Sequence, residues 1–123
     1  MNRWPRILVA SAGLMGAAGV ALAALAAHQA DPSRLLPASS MLLFHASAVL
    51  ATVVLAGRGA VHARIGLISA TGFVVASFLF AGDLAMRHFI GERLFPFAAP
   101  IGGNLLIVSW LSLTVCALWP RWL

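Results

Sequence analysis

The feature that most constrains this chain is its four long stretches without a charge. Ile7–Ala27 has 21 residues between Arg6 and His28, and Leu35–Gly57 has 23 between Arg34 and Arg58. Ile65–Gly82 has 18 between Arg64 and Asp83, and Leu94–Pro120 has 27 between Arg93 and Arg121. A helix crosses the hydrocarbon core of a bilayer with about 20 apolar residues, so each stretch can span, the third by running a little past Asp83. Of the 123 residues, 62% are hydrophobic and 9% charged. A soluble domain is about 45–50% apolar and about 25% charged. A chain this short leaves too much surface wet to hide such a composition. A soluble enzyme and a disordered chain are both excluded by that balance.

The expected fold is therefore all-α: an integral membrane four-helix bundle with antiparallel up-down topology, formed by a single domain over 1–123. The helices are expected at roughly 6–28, 37–56, 63–88 and 99–119. Asp31-Pro32-Ser33 is a turn, because Pro interrupts a helix and Asp and Ser bond their own backbone. Pro37 suits the first turn of the second helix, Gly57-Arg58-Gly59 ends it, and Pro100 opens the fourth. Met1–Ala27 also resembles a secretory signal that ends in small residues, but its 21-residue apolar core is long for one. A retained first helix is the expectation.

Arginine placement orients the bundle. Arg3, Arg6, Arg58, Arg64 and Arg121 fall on one side, and Arg34, Arg87 and Arg93 on the other. Five against three places both termini in the cytoplasm, in the inner membrane of a bacterium. Trp4, Trp119 and Trp122 fall near that cytoplasmic interface, while Trp110 is mid-helix. The net charge of +5 comes from single arginines between apolar runs. No basic stripe exists, so no nucleic-acid partner is expected. The lone Cys116 permits no intrachain disulfide.

On this plan all four helices bring polar groups to the outer half: His28, His45, Asp83, Arg87 and Asn104. The inner half carries only Ser, Thr and the thiol. Polar groups are costly in hydrocarbon and turn toward the bundle interior, so these five are expected to form one outer-leaflet binding cluster. Asp83 and Arg87 are spaced i,i+4 with the acid first, the favourable order for a helical ion pair. His62 and His88 read as solvated loop or helix-end residues. Gly102 and Gly103 follow Pro100, where missing side chains permit close helix approach or expose amides to an anion. Gly13, Gly16 and Gly19 recur every third residue, and Gly66 with Ala70 repeats a small-residue spacing; such faces let membrane helices pack closely.

Four segments resemble the YgdD-like family of small four-helix membrane proteins, a domain of unknown function. Ala23-Ala24-Leu25-Ala26-Ala27-His28 is similar to that family's Gly/Ala-rich segment ending in Ala-His. Phe44-His45-Ala46-Ser47-Ala48-Val49-Leu50 resembles its second His segment. Leu79-Phe80-Ala81-Gly82-Asp83-Leu84 resembles its Phe-Ser-Gly-Ser-Leu-Tyr. Pro100-Ile101-Gly102-Gly103, with Ser109-Trp110, resembles its Pro-Gly-Gly and Gly-Trp pieces. The resemblance implies a membrane bundle and no activity. His28, His45, Pro100, Gly102 and Gly103 match it. The family often has Tyr-Gln where this chain has Met41 and Leu42, and Asp83, Arg87 and Asn104 are features of this chain.

No phosphate-cradling Gly loop, Cys-x-x-Cys or His-Glu-x-x-His occurs. No catalytic residue, metal site or cofactor is expected. The leading expectation is a non-enzymatic accessory protein, scaffold, or binder of a lipid or small molecule. Its partners would be the bilayer and a homo-oligomer or larger membrane complex. The alternatives are an oligomeric transporter or proton-linked permease component using the polar cluster, and a haem- or quinone-binding subunit using the two intramembrane histidines.

Overall fold

The computed structural model describes residues 2–119, so Arg121 and Trp122 lie outside the described residues. The described residues form four helices: α1 (Trp4–Ala26), α2 (Leu35–Gly57), α3 (Ala63–Phe89) and α4 (Ala98–Leu118). All four are long and apolar enough to cross a membrane, with mean hydropathy of 1.8–2.0 in their best windows. Their ends lie within two residues of the expected ones. Pro5 sits in the first turn of α1, which therefore begins earlier than expected. His62 caps α3 by accepting the Ile65 amide hydrogen at Nδ1, 3.3 Å away. Past the end of α3, Gly91 takes a left-handed φ of 85° while its amide bonds the Met86 carbonyl. A glycine adopts that conformation without steric cost.

The helices pack in chain order. α1 lies on α2, α2 on α3 and α3 on α4, with a smaller α1–α3 contact and no comparable α1–α4 interface among the described residues. The burial pattern explains this arrangement. α1 buries Leu8, Ala12, Met15, Gly19 and Ala26, a single stripe at spacings of three, four and seven. α4 likewise buries one stripe: Ala98, Gly102, Leu106, Ser109 and Cys116. The central helices α2 and α3 each bury nine residues on faces turned to two neighbours. Phe73 fills the middle and is fully buried.

Small residues set the spacings. A Cβ on Gly102 would stand 2.9 Å from both the Ala76 carbonyl oxygen and the Phe80 nitrogen, so α4 meets the backbone of α3 there. Gly66 lies against Ala56 and Val61, at 3.3 and 3.1 Å from where its Cβ would stand. The glycine face expected on α1 does not hold together. Gly19 packs against Leu43, and its carbonyl accepts the Ser39 hydroxyl at 2.7 Å, whereas Gly13 and Gly16 have open space around them. The reason is angular: every third residue falls about 60° short of a full turn, so three glycines at that spacing fan out across the helix instead of sharing a face.

Hydrogen bonds between side chains add to the seams. Ser69 and Ser112 join α3 to α4 at 2.7 Å, and the Trp4 indole donates to Thr71 Oγ1 at 2.8 Å, joining α1 to α3. Gly102→Ala is expected to destabilise the protein by about 1–3 kcal/mol, because backbone cannot yield as a flexible side chain can. Gly16→Leu, placed where nothing is near, should leave the monomer's melting in detergent unchanged. Thermal unfolding of both variants checks the contrast.

Candidate functional site

Two polar assemblies stand in otherwise apolar surroundings. The first is centred on His45 of α2. Its Nδ1 lies 2.8 Å from the Met41 carbonyl, and its Nε2 accepts the Trp110 Nε1–H at 3.1 Å. A carbonyl only accepts and an indole N–H only donates, so His45 is neutral with its proton on Nδ1. Both ring nitrogens are occupied. The Phe73, Phe44 and Trp110 rings surround the imidazole, with the Phe73 and Trp110 centroids 4.6 Å apart. His45 thus fastens α4 to α2 across Phe73. A small apolar recess of about 270 Å³ beside it is lined by Ser40, Met41, Phe44, His45 and Trp110.

The second assembly lies at the distal end of the bundle, opposite the termini. Asp83 of α3 is completely buried, and its Oδ2 is 3.0 Å from Nη2 of Arg87. Its Oδ1 accepts the Leu94 amide hydrogen at 2.9 Å, which pins the loop leading into α4. Arg34 donates to the Arg87 carbonyl at 3.1 Å, and His88 bonds the Gln29 amide oxygen at 3.0 Å, so the α1–α2 loop is clasped to the end of α3. In that loop Asp31 accepts hydrogen bonds from the Ser33 side chain and amide. With the nearby Arg34, they hold its carboxyl below the usual carboxylate range.

Arg87 also forms one wall of a cleft of about 550 Å³ between α3 and α4, lined by Phe80, Arg87, Ala99, Pro100, Gly103, Asn104 and Ile107. A quarter of the Arg87 side chain remains accessible. Asn104 is exposed and its amide makes no hydrogen bond to any described residue. The adjacent glycines divide the expected roles. Gly102 turns to α3, whereas a Cβ on Gly103 would meet no atom within 4 Å, so Gly103 opens onto the cleft.

The five polar residues expected in one cluster are thus distributed over three places. Asp83, Arg87 and Asn104 gather at the α3–α4 cleft. His45 lies deeper, at the level of Trp110, which is six residues or about 9 Å along α4 from Asn104. His28 lies in the turn beyond α1, exposed. Position along the bundle axis separates His45 from the cleft residues, and the end of α1 leaves His28 in the turn outside it. Sequence reasoning also missed the role of Trp110. The signal was a tryptophan far from either interface, since an indole N–H at hydrocarbon depth needs an acceptor and His45 is a ring acceptor at similar depth. Among the described residues no group of three His, Cys, Asp or Glu side chains is placed to hold a metal.

The family model described as "Protein of unknown function (DUF423)" matches residues 15–103. The chain belongs to this family. A "UPF0382 membrane protein" of Haemophilus influenzae is 33% identical over 103 residues, which cover 76% of this chain and 79% of that protein. No solved structure matches. The DUF423 match takes in His28, His45, Asp83, Arg87, Gly102 and Gly103 and stops one residue short of Asn104. The expectation of a small membrane family without a known biochemical role agrees with these findings.

Arg87→Ala leaves the buried Asp83 carboxyl without its ion-pair partner, and removing one partner of a buried pair costs about 3–5 kcal/mol. The double change Asp83→Asn/Arg87→Ala removes both charges and keeps an oxygen for the Leu94 amide. The single variant is therefore expected to unfold at lower temperature than the double variant in the same detergent.

Proposed function

We propose that this protein is a non-enzymatic bundle of the bacterial inner membrane that holds a lipid or similar amphiphile in the α3–α4 cleft. The observation that carries this reading is the unpartnered Asn104 amide on the cleft wall beside Arg87. An exposed amide at this depth must find its hydrogen-bond partner outside the protein, and a bound headgroup would supply one. The cleft is graded along its length. Arg87 and Ala99 stand at its mouth, and Phe80 and Ile107 at its floor. Seven to eight residues separate mouth from floor on each helix, about 10–12 Å of rise. A polar mouth over an apolar floor matches a molecule with a head and a tail.

The competing readings draw less support. A haem iron ligated by His45 Nε2 would have to displace the Trp110 hydrogen bond and enter a ring cluster already filled by Phe44, Phe73 and Trp110. A permease needs a polar route to the other side. Toward the termini the described hydroxyls are bonded to carbonyls of their own helices or to one another, as in Ser69 with Ser112 and Thr52 with Ala48. Assembly with a second copy or another membrane protein is compatible with the open faces of α1 and α4.

The orientation belongs to the same proposal. With Arg3, Arg6, Arg58 and Arg64 on the terminal side, the cleft opens in the outer leaflet. Reporter fusions after Leu123 and within the 57–64 loop should both read cytoplasmic; an external C-terminus would reverse the leaflet assignment.

Gly103→Leu tests the cleft itself. The side chain enters open space, so the protein should melt at the same temperature or slightly higher, since a helical glycine costs roughly 0.5–1 kcal/mol relative to alanine. Lipid retained through detergent purification should fall in this variant. Equal retention by the variant and the unaltered protein would exclude the cleft as the binding place.

A further inference from the structure

Resting on the amphiphile reading above, we infer that the cleft selects an anionic phospholipid, with its phosphate against Arg87, its ester carbonyls at Asn104 and an acyl chain along Phe80 and Ile107. The charge arrangement carries the inference. Among the described residues, Arg87 is the one charged side chain lining the cleft. Its counter-ion Asp83 is fully buried behind it, with Oδ2 turned to Arg87 and Oδ1 taken by the Leu94 amide. The ion pair therefore presents its positive end to the cleft and its negative end to the protein. The first turn of α4, through Ala99 and Pro100, also faces the cleft and adds the positive end of its dipole. Arg34, bonded to the Arg87 carbonyl, brings a second guanidinium to this end of the bundle. The acid near Arg34 is Asp31, in the α1–α2 loop, and it does not line the cleft.

The vertical order fits one lipid. Asn104 is five residues into α4 from Ala99, about 7.5 Å deeper, below a phosphate held at the mouth and above the apolar floor. Its side-chain NH₂ has no acceptor within the described residues. An ester carbonyl offers one. A small soluble anion would meet Arg87 but leave Phe80, Ile107 and the lower cleft empty.

The test compares dioleoyl phosphatidylglycerol with dioleoyl phosphatidylcholine, identical in their chains, by native mass spectrometry of the full-length protein. Phosphatidylglycerol should bind saturably with about tenfold preference, or about 1.4 kcal/mol, and Gly103→Leu should abolish the adduct. In Asp83→Asn/Arg87→Gln, which leaves no lone carboxylate, the preference should fall to near unity while residual binding of both lipids persists. Saturable adducts of equal strength, both abolished by Gly103→Leu, would overturn the anionic selection and leave the amphiphile reading standing. Adducts that Gly103→Leu does not reduce, or no saturable adduct of either lipid, would overturn both. Displacement of phosphatidylglycerol by millimolar glycerol phosphate would assign the site to a soluble anion and end the lipid proposal. Preference retained in the double variant would remove Arg87 as the headgroup contact.

Discussion

Asp83 buries a carboxyl group where hydrocarbon-facing helices offer it no water, and much of the distal half is organised around that cost. An isolated charge in a low-dielectric interior is too expensive to keep. Arg87, one turn further along α3, supplies the compensating charge, and the Leu94 amide supplies a hydrogen bond. Each compensation has a structural consequence. The ion pair fixes the Arg87 side chain along one wall of the cleft. The loop bond fixes where the chain turns before it enters α4 through Phe97, whose left-handed φ of 67° is unusual for a residue with a Cβ. The path of α4 across α3 begins from that pinned loop.

Away from Asp83 the chain handles polarity with short side chains. Ser11, Thr52, Ser69, Thr71, Ser109 and Thr114 each turn the hydroxyl back to the carbonyl four residues earlier. That habit satisfies the donor without a partner helix, and it lets these residues serve as small packing units. Ser69 adds a second bond to Ser112 and so joins two helices as well. Ser77 departs from the pattern: it is buried with an unpartnered hydroxyl, and nothing in the structure accounts for it.

What is legible in the sequence is what depends on one-dimensional order. Charges and prolines mark helix ends directly, so the four spans and their turns can be placed to within two residues. The pairing of Asp83 with Arg87 needs only their i,i+4 spacing. What depends on rotation is not legible. His45, at the middle of α2, turns toward α4 at Trp110, whereas Asp83, near the end of α3, turns toward Arg87 and the α3–α4 loop. The near-uniform hydrophobicity of each helix removes the amphipathic signal that would show which side faces inward. The glycines of α1 mislead for a related reason: their regular spacing suggests a face, although a period of three does not match 3.6 residues per turn.

The two neighbouring glycines of α4 show how packing and the cleft depend on each other. Successive helical residues point about 100° apart, so when Gly102 faces the α3 backbone, Gly103 must face away from that contact and onto the groove beside it. The absence of a side chain at Gly102 lets the helices touch. The absence of one at Gly103 leaves the groove open beside Asn104, below Arg87. The width of the cleft is then set by a backbone contact, which has no rotamer to relax into. Its polarity is set by Arg87, which Asp83 holds in place. The spacing and the charge of the groove thus both derive from the single seam between α3 and α4.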